Sequence, residues 1–248
     1  MTHVWRRLRK TVFALADPVS RSALRVGAAP TIEHLEAMRA MGNIKTVIDV
    51  GANIGQFALM ARRVFPEAII HSFEPMPDAC ERFERALRRA KGVHLHKMAL
   101  GATVTRSEMY ITRRQDSSSL LKPDLQSKIY PGGEVVGKVE ISVVPLDQVL
   151  DDTDLRPPAL LKIDVQGFEW EVLLGCKSRL RCFEWIFCEL SFRELYAGQR
   201  LAPELINWLY DESFELAGVY MSDLSYDSDG GAIQADFLFR RVDAKIRR

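Results

Sequence analysis

Three short apolar runs separated by helix-patterned stretches constrain this chain more than any other feature. Thr46-Val47-Ile48-Asp49-Val50 runs without alternation into Gly51. That is the pattern of a strand buried on both faces of a parallel sheet. Phe57, Met60, Ala61 and Val64 follow at helical spacing and stop before Pro66. Residues 68–73 read as a second strand, 77–90 as a helix closed by Gly92, and 93–98 as a third strand. Parallel neighbours need long crossovers, which helices supply. The β-α-β-α-β rhythm therefore predicts an α/β fold, Rossmann-like, around a mostly parallel, doubly wound sheet.

Later segments extend the same sheet. Residues 159–165 and 184–190 read as strands four and five, with helices over 169–174 and 203–212. The end differs. Residues 214–220 and 232–242 are strand-patterned, and the polar linker 222–231, ending in Gly230-Gly231, is too short for a helix. A seven-stranded sheet closed by an antiparallel hairpin is expected. Residues 107–112 and 134–144 form two extra strands. Between them lies a polar segment with Gln115, Asp116, Ser117, Ser118, Ser119, Pro131, Gly132 and Gly133. A connection of that length is a candidate lid.

The first 42 residues read as a helical N-terminal extension preceding a domain over 43–248. Asp17-Pro18 is an N-cap followed by proline at the first helical position. Thr31 is a candidate cap for a second helix, with Leu35, Met38 and Met41 on one face and Gly42 at its end. Val4, Leu8, Val12 and Leu15 share a helical face within 3–16, among basic residues. That face reads as packing on the domain or on a partner subunit, with weak membrane-surface contact as the alternative.

Composition narrows the function classes. The formal net charge is +1, which provides no basic field for nucleic acid. Cys80, Cys176, Cys182 and Cys188 form no C-x-x-C pair, and no histidine follows His96, so reduced thiols are expected and no metal site. His71, His94 and His96 fall in expected strands and read as structural. No run is long and apolar enough to span a bilayer, and Arg6, Arg7, Arg9 and Lys10 break any secretory-signal core. A cytoplasmic location is expected.

The chemistry concentrates at strand ends. Asp49-Val50-Gly51-Ala52-Asn53-Ile54-Gly55 sits where the first strand turns into a helix. Gly51 and Gly55 allow close backbone approach to a ligand. Asp49 can accept a hydrogen bond from an ammonium group, whereas a phosphate cradle has no use for a carboxylate. The third glycine of the dinucleotide fingerprint is missing. The amino-acid end of S-adenosyl-L-methionine fits this turn better than a pyrophosphate. Glu74, in Phe73-Glu74-Pro75 at the tip of the second strand, can accept both hydroxyls of a ribose. Met76 then lies beside the adenine or fills core. Ala99, past the third strand, completes the candidate cofactor set of Asp49, Gly51, Ala52, Asn53, Gly55, Glu74, Pro75 and Met76. Asp164 ends the fourth strand beside the same crevice, where it can orient an acceptor hydroxyl, take its proton, or cap the next helix. Glu169 is placed to support it. Glu189, at the end of the fifth strand, is the second candidate base.

In order, VIDVGANIGQF, SFEPMP, LLKIDVQGFEWEVLLG and CELSFRELY resemble the FkbM-type methyltransferases over residues 46–196, and the terminal hairpin extends the match toward 242. The resemblance implies a class I methyltransferase fold, S-adenosyl-L-methionine as donor, and O-methylation of a sugar, glycolipid or related natural product. It also implies that Asp49, Gly51, Asn53, Gly55 and Glu74 hold the cofactor. Family members often carry Glu where this chain has Gln166, so no carboxylate base is expected there. The acceptor that the resemblance implies is a small molecule or glycan. Two rivals remain: an NAD-dependent oxidoreductase, against which the missing glycine and the hairpin speak, and a catalytically inactive cofactor-binding module.

Overall fold

The computed structural model of the chain describes residues 12–15, 17–221, 225–227 and 229–242. Most of the helix expected over 3–16 lies outside these residues. Within 12–15, which is helical, Ala14 is buried while Val12 and Leu15 face solvent. Asp17 caps helix α1 (Pro18–Leu24), its carboxylate accepting from Ser20 N at 2.6 Å. Thr31 does not cap as expected. A 3-10 turn at Ile32–His34 intervenes before α2 (Leu35–Ala40).

The sheet then begins: β1 (Thr46–Val50), α3 (Gln56–Val64), β2 (Ile69–Phe73), α4 (Pro77–Leu87) and β3 (Val93–His96). Past the third strand, residues 99–100 form a separate short strand that the sequence pattern did not predict, β4 (Ala99–Leu100). It pairs with β6 (Val135–Val144), which also pairs with β5 (Thr105–Thr112) in a three-stranded sheet. The polar segment between β5 and β6 is not bare loop, because it holds a short helix, α5 (Leu125–Ile129). The main sheet resumes with β7 (Ala159–Ile163), α6 (Glu169–Gly175), β8 (Phe183–Ser191), α7 (Ala202–Asp211), β9 (Phe214–Tyr220) and β10 (Gln234–Arg241).

The seven strands lie in the order β3-β2-β1-β7-β8-β10-β9. All pairings are parallel except those of β10, which runs antiparallel to β8 and β9. This is the α/β, Rossmann-like sheet with a terminal antiparallel hairpin expected from the sequence. The order reverses between β1 and β7, so a crevice opens there at the carboxyl ends of the strands.

Strand alternation splits the core into two layers. Val47, Leu160, Phe187 and Leu238 face α3, α4 and the N-terminal helices. Ile48, Leu161, Ile186 and Phe237 face α6 and α7. Each such side chain contributes about 1.5–3 kcal/mol by leaving water. Ala23, Ala37 and Met38 are fully buried in the first layer with Phe57 and Met60, so the extension shares the core of the sheet domain. Among the described residues, no helix is long and apolar enough to cross a membrane.

Candidate active site

A cavity of about 430 Å³ occupies the crevice at the β1/β7 reversal. That volume suits a small-molecule ligand. Its wall includes Gly51, Ala52, Asn53, Glu74, Pro75, Met76, Ala99, Asp164 and Glu189. Asp49 and Gly55 are not part of it.

At the β1–α3 turn, Gly51 has φ +76°, and a Cβ there would lie 1.9 Å from the Asp164 carbonyl oxygen. Two strand ends converge at this point, and only glycine lets them. Gly55 answers a different demand. A Cβ on it would meet Leu87 Cδ1 at 2.7 Å, so it seats α4 against the turn rather than a ligand.

Glu74 is buried and ties the β1–α3 turn to the start of α4. Its carboxylate accepts from Asn53 N and from Met76 N, both at 2.8 Å. Burial pushes its carboxyl upward, against the pull of those two amides. The amide that a phosphate would seek in this turn is thereby taken. A ligand reaching Glu74 meets a fixed acceptor with lone pairs to spare, which calls for hydroxyls.

Asp49 meets an ammonium, but the protein's own. Its fully buried carboxylate lies 3.1 Å from Lys162 Nζ and near Ser72 Oγ at 3.4 Å. Lys162 also donates to Val50 O at 3.2 Å and to Gly51 O at 3.0 Å. The ammonium is thus held by one ion pair and two donated hydrogen bonds. Burial pulls the ammonium down, yet the Asp49 and Asp164 carboxylates hold it above its ordinary value. The pair ties the Gly51 turn to β7. Asp49 therefore lies behind the cavity wall rather than on it. A lysine inside an otherwise apolar strand was the signal for it, since a buried ammonium demands a partner.

The β7, β8 and β10 ends form the other half. Gln166, at φ +57°, donates from Nε2 to Asp164 Oδ1 at 2.9 Å and to Glu189 Oε2 at 3.1 Å. Gln234 Nε2 donates to Glu189 Oε1 at 2.8 Å. Burial, reinforced by the Asp164 and Asp236 charges, raises the Glu189 carboxyl well above the usual carboxylate range. Asp164 does not cap α6, contrary to one of its expected roles. Glu169 organises that turn, accepting from Val165 N at 3.3 Å and Gly167 N at 3.0 Å, with its own carboxyl pushed by burial up to about 7. Asp164 is left facing the cavity.

Other wall residues come from distant segments. His34, in the N-terminal extension, lies 3.3 Å from Asp236 Oδ2 and packs edge-on against Phe187. From the β5–β6 segment come Arg114, Asp116, Ser117, Ser118 and Tyr130. Ser119 Oγ of that segment donates to Gln166 O at 2.6 Å, and the Tyr196 hydroxyl reaches both Gln166 Oε1 at 2.9 Å and Ser117 O at 3.2 Å. No local pattern around His34, Gln234, Asp236 or Tyr196 announced these roles. The histidines of β2 and β3 stay off the cavity wall. His71 Nδ1 lies 3.2 Å from His96 Nε2, and burial with the neighbouring imidazoles lowers His71 to about 4. Among the described residues, no group of His, Cys, Asp and Glu is placed to hold a metal ion.

Comparison with known proteins follows the same outline. The family model described as Methyltransferase FkbM domain matches residues 49–216. The 2-O-methyltransferase NoeI of Sinorhizobium fredii is 26% identical over 181 residues, covering 70% of this chain and 74% of that protein. The hexuronic acid methyltransferase AglP of Haloferax volcanii is 24% identical over 173 residues, 67% of each chain. The 31-O-demethyl-FK506 methyltransferase FkbM of Streptomyces tacrolimicus is 30% identical over 154 residues, 53% of this chain and 59% of that one.

Proposed function

The chain belongs to the FkbM-domain methyltransferase family, and on that premise we propose that it transfers a methyl group from S-adenosylmethionine to a hydroxyl oxygen of a sugar, glycolipid or related natural product. The family assignment sets aside the oxidoreductase alternative. The observation that carries the acceptor reading is the pair Asp164 and Glu189, held by one carboxamide at the cavity wall.

The wall suits this cofactor. Glu74 offers carboxylate oxygens to ribose hydroxyls, and Pro75, Met76 and Ala79 give the adenine an apolar surface. The turn has its Asn53 amide bound to Glu74 rather than open to a phosphate. When bound, S-adenosylmethionine supplies a methyl on a positively charged sulfur, an electrophilic carbon open to an oxygen nucleophile.

The protein's part is position and proton handling. A hydroxyl is a weak nucleophile until a base takes its proton. Asp164 Oδ1 is engaged by Gln166, so Oδ2 is the oxygen that accepts the acceptor's proton. Glu189, bound on both oxygens by glutamine amides, orients the acceptor and stays fixed while Asp164 changes charge. The β5–β6 segment covers the cavity and excludes water, itself a competing oxygen.

The test is methyl transfer from labelled S-adenosylmethionine to a panel of glycosides and hydroxylated natural products. Acceptor-dependent transfer is expected with the native chain, with a loss of roughly 10²–10⁴-fold in Asp164→Ala. Asp164→Asn should be equally impaired, because an amide cannot take the proton. Donor binding with no transfer to any hydroxyl would overturn the reading and return the inactive-module alternative.

A further inference from the structure

The charge of the cavity wall carries the inference furthest. Three cationic or potentially cationic side chains reach the cavity among the described residues: Lys162, Arg114 and His34. Each has an acidic partner already. Lys162 is ion-paired with Asp49 and donates to Val50 O and Gly51 O. Arg114 Nε lies 2.7 Å from Asp116 Oδ1, and both residues are about half exposed. His34 faces Asp236 at 3.3 Å. Against these stand Asp164 and Glu189, whose shared contact is the neutral amide of Gln166. Gln234, the second contact of Glu189, is neutral too. Pair by pair, no cationic side chain is left over for the acceptor end.

Resting on the methyltransferase reading above, we propose that the acceptor enters this cavity without an anionic group: the substrate is an uncharged hydroxylated ring, and uronic acids and sugar phosphates are rejected. An anion placed beside Asp164 and Glu189 would lose its water and find no unpaired cationic side chain, and the donor's sulfonium must face the accepting oxygen instead. Burying an unpaired charge beside like charges is among the costlier things a binding site can do. Burial, and after it the Asp164 and Asp236 charges, already raises the Glu189 carboxyl, the direction in which a further anion would push it. An uncharged polyol meets the opposite situation, since carboxylate oxygens and glutamine amides supply acceptors and donors for its hydroxyls. One similar protein is named for hexuronic acid. The rejection proposed here therefore belongs to this chain's wall and not to the fold.

The experiment compares acceptors that differ in charge alone. Gluco-, galacto- and mannosides are each offered as the parent alcohol, the uronate and the uronamide, with S-adenosylmethionine saturating. The uronamide keeps the planar carbonyl of the uronate and removes its charge. For the ring that is used, alcohol and uronamide should turn over, and the uronate should fall at least about tenfold behind the uronamide in kcat/KM. That gap should persist as salt rises, because charges inside the cavity are screened much less than exposed ones. Arg114→Gln should leave the gap in place, because Arg114 is already neutralised by Asp116. A uronate equal to or better than its uronamide would overturn the charge inference while leaving methyl transfer to sugars standing. Equal failure of uronate and uronamide beside an active alcohol would also overturn it, by assigning the rejection to size. No transfer to any of the nine compounds, with the donor bound, would overturn the sugar reading itself and this inference with it.

Discussion

At the scale of single residues, the site depends on which oxygen is already spoken for. Gln166 is the clearest case. Its two amide hydrogens point at Asp164 and Glu189, so both carboxyls can present an acceptor oxygen to it at once. Gln166→Glu would place a third carboxylate between them and delete both donors. Like charges at such contact disfavour ionisation and raise the affected carboxyls. If catalysis needs Asp164 ionised, the acid limb of the kcat/KM profile should move up by about one pH unit or more. A pH series on the variant checks this, with thermal melting as the control for folding. An acid limb that stays in place would remove Gln166 as the residue that sets the charge of the pair. The sequence made part of this legible. Asp164, Glu189 and Glu74 end apolar runs, and chain position alone put them at one rim. The amide between them was not legible, because Gln166 makes its contacts from a left-handed backbone conformation in a turn. The same limit hid the partner of Asp49, since Lys162 is brought to it only by the parallel pairing of β1 with β7.

At the scale of elements, the helices and strands of the sheet were readable because apolar runs and periodicity report burial directly. The segment between β5 and β6 was not, because its order comes from contacts outside itself. Asp124 N and Gln126 N both bond to Leu195 O, and the Tyr196 ring lies against Gly167, where a Cβ would come within 2.8 Å. Beside the Ser119 bond to Gln166 O, the Tyr196 hydroxyl is thus a latch between this cover and the Gln166 side chain. Tyr196→Phe keeps the ring and removes the latch. The loss of one buried hydrogen bond should cost stability by only about 0.5–1.5 kcal/mol. Turnover should fall by a larger factor than donor affinity, because the cover adjoins the acceptor end. Limited proteolysis at 113–133, with and without S-adenosylhomocysteine, reads the latch. Cleavage of the variant at the native rate in both states would show that the hydroxyl does not hold the cover.

At the scale of the whole molecule, the boundary at residue 42 separates two sequence patterns but not two cores. Met38 of α2 is fully buried in the same cluster as Phe57, Leu59 and Met60 of α3, and Phe57 lines the cavity. His34, Glu33 and Thr31 stand on the cavity wall just ahead of that helix. If the extension is part of one cooperative unit, damage to its core should lower the stability of the entire molecule and loosen the site together. Met38→Ala removes a buried side chain and leaves a cavity, at a cost of about 2–5 kcal/mol. For a chain of this size each kcal/mol lowers Tm by roughly 2–4 °C. A single transition, shifted down as a whole, is expected from calorimetry. Isothermal titration should show weaker binding of S-adenosylhomocysteine in the same variant, because Phe57 borders the turn that carries Asn53. Two separated transitions, with the main one and the binding unchanged, would instead make residues 1–42 an independent attachment.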